Sequence, residues 1–376
     1  MVYDAIIAGL GAMGSAAAYH LAKRNLRVLG VDRYTPPHTL GSSHGESRII
    51  REAYYEHPLY VPLVQRAYEL WAELEQQTQQ QLFLQTGGLM IGIENGTLVR
   101  GALLSATTHH LAHEVFGAQE IRRRYPAFHP TDEMLAVWEP RAGVLFPEKC
   151  IAAHLHRAQH FGATLHGEEV VLSWQKEGDG LLIITNKGRY RTNKLVLSAG
   201  AWLQTLTPEL ALPLQCTRQP LFWFEPLAQA DYFKPPNFPI YILEHEPNRY
   251  FYGFPNLGAG CKAAIHHEGE VTTAEHVRRE VADDEVTPLR RLLGRYLPHA
   301  NGALRKAAVC MYTNTPDAHF MIDFHPRDEN VLIVSPCSGH GFKFSSAIGE
   351  VVAELLMAGK TDFVLAPFRV QRFSFN

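Results

Sequence analysis

The chain has 376 residues, 46% of them apolar, enough to build two packed cores. Its formal charge of −3 is spread without a basic tract or a basic stripe interleaved with aromatics, which speaks against nucleic acid as a partner. Five widely spaced cysteines with no C-x-x-C pair speak against both a disulfide framework and a structural zinc site.

No apolar run approaches the ~20 residues that would cross a bilayer. The N-terminus lacks a basic leader and Asp4 interrupts its apolar stretch, while the closing Ser374-Phe375-Asn376 matches no common sorting signal. A cytoplasmic protein away from membranes is expected.

Asp4–Ala8 is a short apolar run of strand type, followed by Gly9-Leu10-Gly11-Ala12-Met13-Gly14 and an alanine-rich helix to about Lys23. A second strand, Arg27–Val31, ends in Asp32. This is a βαβ opening. Gly9, Gly11 and Gly14 permit a tight turn whose backbone and helix N-terminus can meet a pyrophosphate, and Asp32 is placed to accept from ribose hydroxyls. The motif alone does not choose between FAD and a nicotinamide, so a nicotinamide-dependent dehydrogenase stays open at this point.

Thr35-Pro36-Pro37 makes a turn into the polar segment Gly41–Arg51, which has no strand or helix period and reads as a loop. Residues 59–80 have helical periodicity, and the pattern from 86 to 142 is mixed. His109 and His113 have the i, i+4 spacing of helical metal ligands; with no third ligand evident, a solvated helix face and no metal are expected. Near Gly143–Cys150 the chain returns to its first domain. Buried strands are expected at Lys194–Ala199, before Gly200, and at Asn330–Ser335, before a glycine-containing turn and the helix Ser345–Met357. The stretch 218–310 is rich in Tyr, Phe and Pro, and alternating runs such as Arg249–Phe254 suit an antiparallel sheet.

Six further segments stand out in order: GSSHGESRIIREAYYE (41–56), EPRAGVLFPEKC (139–150), KLVLSAGAW (194–202), YFYGFP (250–255), AVCMYTNTPDAHF (308–320) and SGHGFKFSS (338–346). Together with the glycine motif, this set resembles the monomeric sarcosine oxidase / N-methyltryptophan oxidase family over nearly the whole chain. The resemblance implies an α/β fold in which an FAD-binding Rossmann-like domain (1–85, 143–217 and 311–376) is interleaved with an α+β substrate domain (86–142 and 218–310). The antiparallel sheet of the second would cover the flavin. It also implies a monomeric flavoprotein oxidase that takes a small secondary amino acid and O₂. Hydrogen peroxide, formaldehyde and the primary amino acid would be the products.

Residue by residue, the resemblance makes Cys310 the covalent attachment point of FAD, a role suited to a nucleophilic sulfur. Without Met311-Tyr312-Thr313 beside it, Cys310 would read as a small buried strand residue. Arg51 and Lys343 match the pair that holds the substrate carboxylate, one a planar fork and the other a compact charge. Lys262 matches the lysine placed where O₂ reacts. The stretch Asn256–Cys261 is one residue shorter than in the family, but Lys262-x-x-x-His266 restores the spacing.

His44 and Arg48 match groups beside the flavin ring, although Ser43-His44-Gly45-Glu46-Ser47-Arg48 departs from the family's His-His-Gly-Asp-Thr-Arg. Tyr252, His266, Tyr312 and Glu56 match the surroundings of the amine. Ser42, Val171, Gly200, Trp202, Gly339, His340, Gly341 and Phe342, with Lys343, complete the implied flavin contacts. Sarcosine or a near relative is expected as substrate, with N-methyl-L-tryptophan as the alternative. A nicotinamide-dependent dehydrogenase would have no use for Cys310. A silent flavin-binding subunit would have no reason to keep Arg51, Lys262, Cys310 and Lys343 together.

Overall fold

The computed structural model describes residues 1–373, so the closing Ser374-Phe375-Asn376 lies outside the described residues. Strand Val2–Ala8 pairs in parallel with Val28–Val31 on one side and Arg189–Leu197 on the other. Its Ala5–Ala8 run is buried, the continuous apolar stretch required of a strand covered on both faces. Val28–Val31 pairs in turn with Thr164–His166, and the end of Arg189–Leu197 pairs with Asp328–Ser335. One sheet thus collects strands from the beginning, middle and end of the chain. Antiparallel strands Val171–Glu177 and Gly180–Thr185 extend it beyond Arg189–Leu197, and Met321–His325 pairs with Asp328–Ser335.

The helix Ala12–Lys23 packs against Pro147–His160 and Ser345–Ala358 over this sheet. A Cβ at Gly349 would lie 2.6 Å from the Ala16 backbone, so this glycine is what lets two of these helices touch. The period seen over 59–80 resolves into a short turn, Pro58–Tyr60, and the helix Val61–Thr78, whose buried residues form one stripe.

The second sheet runs in the order Val271–Thr272, Gln215–Phe224, Cys261–His266, Arg249–Gly253, Ile240–Glu246, Gly88–Ile93, Met134–Glu139, Glu114–Gly117. Leu304–Asn314 pairs along the length of Gln215–Phe224, which brings Cys310 opposite Gln219. The pair Ile240–Glu246 with Gly88–Ile93 is parallel; the other pairings of this sheet are antiparallel. Phe128, Phe238, Tyr241 and Phe251 pack on it as an aromatic core.

Two expectations are corrected. Gly41–Arg51 is not all loop: Arg48–Ile50 is a strand that pairs with Gly143–Leu145, itself paired with Phe83–Gln85. Three residues are too few to show a period, and the partner is remote in sequence. His109 and His113 do not share a helix face, because the helix Thr97–Thr108 stops before them and His110 takes a left-handed φ of 52°. His109 Nε2 pairs with the Pro58 carbonyl at 3.0 Å, and His113 Nδ1 with the Leu111 carbonyl at 2.8 Å. No helix among the described residues is long and apolar enough to cross a membrane.

Candidate active site

A cleft runs from the glycine turn after the first strand to the face of the second sheet. At its first end, Gly9 has φ 94°, and a Cβ there would lie 2.6 Å from the Ser198 carbonyl. A Cβ on Gly14 would lie 1.8 Å from the Gly9 carbonyl, so this glycine stands behind the wall and closes helix onto strand. Gly11 faces open space, with Ser43 Oγ as the nearest atom at 3.9 Å, and no side chain caps the helix it opens. Uncapped N–H groups beside an open glycine make an anion cradle. Asp32 stands at the cleft wall, its Oδ2 accepting from Leu10 N at 2.6 Å and its Oδ1 from Tyr34 N at 2.8 Å. Val171, Gly200 and Trp202 line the same end.

The middle of the cleft is shaped by residues 41–48. Glu148 Oε1 accepts from Gly45 N at 2.8 Å and Glu46 N at 3.1 Å, pinning the loop. Arg48 donates to the Ser47 and Ser42 carbonyls, each at 2.8 Å, and its Nη2 lies 3.4 Å from Cys310 Sγ. Cys310 Sγ also donates to the Ser42 carbonyl at 3.3 Å. A cation is therefore set against a buried cysteine at the cleft wall. Cys337 lines the cleft too, but it has no such neighbour in its hydrogen bonds, and burial pushes its thiol up.

Lys262 and His44 do not line the cleft; they sit behind its wall. Lys262 is 2% exposed. Its Nζ donates to the Gly45 carbonyl at 2.7 Å and to the Ser47 carbonyl and Oγ at 3.0 Å each. Burial pulls its pKa well below the ordinary lysine value. Three acceptors nevertheless match the three N–H donors of an ammonium, and Phe254 and Trp223 face it with their rings, so the arrangement is that of a cation. His44 is held at about 3, by burial first and then by the charges of Arg48, Arg279 and Lys262, and its Nε2 has no partner.

At the far end stand Arg51, 2% exposed, and Lys343, 5% exposed. Arg51 Nη1 donates to the Ala53 carbonyl at 2.8 Å and Nη2 to Glu56 Oε2 at 2.6 Å, while its buried Nε has no partner. The guanidinium lies against the rings of Tyr54 and Tyr55, at 4.4 and 4.7 Å. Burial alone would lower its pKa, but Glu56 beside it more than offsets this. Lys343 Nζ donates to the His340 carbonyl at 2.8 Å, and burial, with Arg51 nearby, brings it down to about 7.

Burial likewise holds His340 at about 4 and His266 well below the usual histidine value, so both are neutral. His266 Nδ1 pairs with Tyr312 Oη at 3.1 Å, and Tyr252 completes this polar aromatic wall. Gly339, at φ 79°, lets the backbone of the turn approach Tyr312: a Cβ there would lie 2.7 Å from the ring. His340, Gly341 and Phe342 follow along the same wall. Tyr54, Tyr55 and Glu148 contribute without having been singled out in the sequence. The two tyrosines lie within the 41–56 segment beside Arg51, and Glu148 lies within the 139–150 segment, which was the available signal for each.

The family model described as DAO, FAD dependent oxidoreductase, matches residues 4–355. A monomeric sarcosine oxidase of Streptomyces avermitilis is 42% identical over 376 residues, covering 99% of this chain and 98% of its own. An N-methyl-L-tryptophan oxidase of Yersinia pestis is 35% identical over 375 residues, covering 99% of this chain and all of its own. The solved structure of an L-proline dehydrogenase from P. horikoshii shares the fold, with a TM-score of 0.86 at 21% identity over 99% of this chain and 98% of that one.

Proposed function

The chain belongs to the DAO family of FAD-dependent oxidoreductases, and on that footing we propose that it oxidises a small secondary amino acid with O₂, releasing hydrogen peroxide. The observation that carries the reading is the pair of buried cations, Arg51 and Lys343, at one end of the cleft whose other end is a dinucleotide cradle. Two buried cations need anionic partners, and Glu56 is one carboxylate for both. A substrate carboxylate would supply the second, since Arg51 and Lys343 both line the cleft.

The residues fit FAD. The open side of Gly11 and the uncapped helix behind it would take the pyrophosphate, Asp32 the ribose, and Ser42, Arg48 and Cys310 with the Gly339–Lys343 turn the ring system. When bound, the flavin would supply two-electron redox chemistry at the carbon beside the substrate nitrogen, with O₂ as the final acceptor. Arg51 and Lys343 orient the substrate by its carboxylate. Neutral His266 and the buried phenols of Tyr252 and Tyr312 favour the uncharged amine, whose lone pair the oxidation needs. For an N-methyl substrate, water then hydrolyses the imine to formaldehyde and the primary amino acid.

Peroxide release from sarcosine, L-proline, L-pipecolate and N-methyl-L-tryptophan, compared as kcat/KM at one oxygen concentration, tests this. The small substrates are expected to lead, in keeping with the AVCMYT and KFSS segments. A lead of roughly tenfold for the indole substrate would reverse the size preference alone, since single methylene contacts shift discrimination by ~1–3 kcal/mol. Absence of peroxide from all four would remove the oxidase reading.

Cys310 is proposed as the covalent tether. Purified protein should stay yellow after acid precipitation; Cys310→Ala should bind FAD reversibly or not at all, and Cys337→Ala should keep the link. Complete release of FAD from the unaltered protein into the acid supernatant contradicts the tether.

A further inference from the structure

Glu139 ends the strand Met134–Glu139 and is 0% exposed. Burial pushes its carboxyl up to about 7, so the fold accepts a cost in keeping an acid there. It does not line the cleft. Both of its oxygens are used on backbone: Oε1 accepts from Glu52 N at 2.6 Å and Oε2 from Ala53 N at 2.7 Å. These N–H groups belong to the segment that leaves the short strand Arg48–Ile50, where no sheet partner remains to satisfy them.

The same segment holds the guanidinium. Ala53, gripped through its N–H by Glu139, accepts from Arg51 Nη1 through its carbonyl at 2.8 Å. Tyr54 and Tyr55, the two residues that follow, supply the rings that face Arg51. A second tie runs parallel to the first: Arg141, two residues beyond Glu139, donates to Glu52 Oε1 at 2.9 Å. The carboxylate therefore reaches Arg51 through one residue, Ala53, and two hydrogen bonds.

We propose that Glu139 is a positioning residue for substrate recognition, fixing Arg51 for the carboxylate by holding the Glu52–Ala53 backbone. The inference rests on the reading of Arg51 as a carboxylate site. Glu139→Gln keeps the shape but turns one acceptor into an amide NH₂ facing an N–H. Loss of one charge-assisted bond at this point should raise the Kd of an amine-free acetate-type inhibitor by roughly tenfold. The Kd is read from the flavin absorbance change in the holoenzyme.

A residue that acts through Arg51 must lose its effect when Arg51 is altered. In the Arg51→Lys background, Glu139→Gln should add less than about a twofold change, whereas independent sites would add in full. Glu139→Asp, which keeps both acceptors on a shorter arm, should fall between glutamate and glutamine. An unchanged Kd in Glu139→Gln, or a full additional loss in the Arg51→Lys background, would overturn the proposal. So would failure of both Glu139 variants to yield folded holoenzyme, which would make Glu139 a residue of the fold. If the unaltered holoenzyme binds no carboxylate, it is the Arg51 site itself that fails.

Discussion

Lys262→Met should slow reoxidation of the reduced enzyme by O₂ by ~10²–10³-fold while changing anaerobic reduction by substrate far less. Electron transfer to O₂ develops negative charge on a small molecule that arrives neutral. A fixed cation in a water-poor site lowers the energy of that charge without having to reorganise. Lys262 meets the requirement of being fixed: its Nζ is held by the Gly45 and Ser47 carbonyls and Ser47 Oγ, with aromatic rings against it. It stands one layer behind the cleft, and Ser47, which holds it, lines the cleft. Methionine keeps most of the volume but removes the charge and the three donors, so stability should fall as well and a melting curve belongs with the kinetics. Rapid mixing of substrate-reduced protein with O₂ separates the two half-reactions. Near-normal reoxidation would sink the assignment and leave Arg48, the other cation of this wall, to be tested.

The parts of the site written in short sequence stretches were legible, and those made by remote pairing were not. Gly9, Gly11, Gly14 and Asp32 announce a nucleotide cradle because a turn, a helix start and a strand end lie within one βαβ unit. Sequence could rank Cys310 above Cys337 through its neighbours. It could not show that both line the cleft, or that Arg48 stands against one of them. That contact joins the start of one strand to another strand 262 residues away. The strand Arg48–Ile50 was missed for the same reason, since its partner is Gly143–Leu145. His109 and His113 show the opposite error: the spacing was right for a helix, but the helix had already ended at Thr108. Glu139 lies within the EPRAGVLFPEKC segment, which carries no sign of its role. Its work is done on backbone N–H groups 86 and 87 residues earlier, and no local pattern marks such an acceptor.

Arg51→Met should weaken an amine-free carboxylate inhibitor by roughly 30-fold to several thousandfold, the range expected when one partner of a buried charge pair is removed. Arg51→Lys should also weaken it despite unchanged charge. A lysine cannot lie against Tyr54 and Tyr55 as a planar fork, and its single nitrogen cannot reproduce the separate contacts of Nη1 to Ala53 and Nη2 to Glu56. Lys343 adds a pH signature. With its amine held at about 7, it is charged and binding-competent below that pH and increasingly neutral above it. Affinity for the inhibitor should therefore be level on the acid side and fall by up to about tenfold per pH unit above 7. Bound anion favours the ammonium and raises its pKa in the complex, so the fall starts near 7 and levels off once the complex itself titrates. Lys343→Met should lower affinity and remove this pH dependence, while Arg51→Lys should keep it. The inhibitor carries no amine, so the titration of a substrate nitrogen does not enter. Spectroscopic titration across pH 6 to 9 reads all three variants, and an unchanged Kd in Arg51→Lys and Lys343→Met alike would move the carboxylate site elsewhere in the cleft.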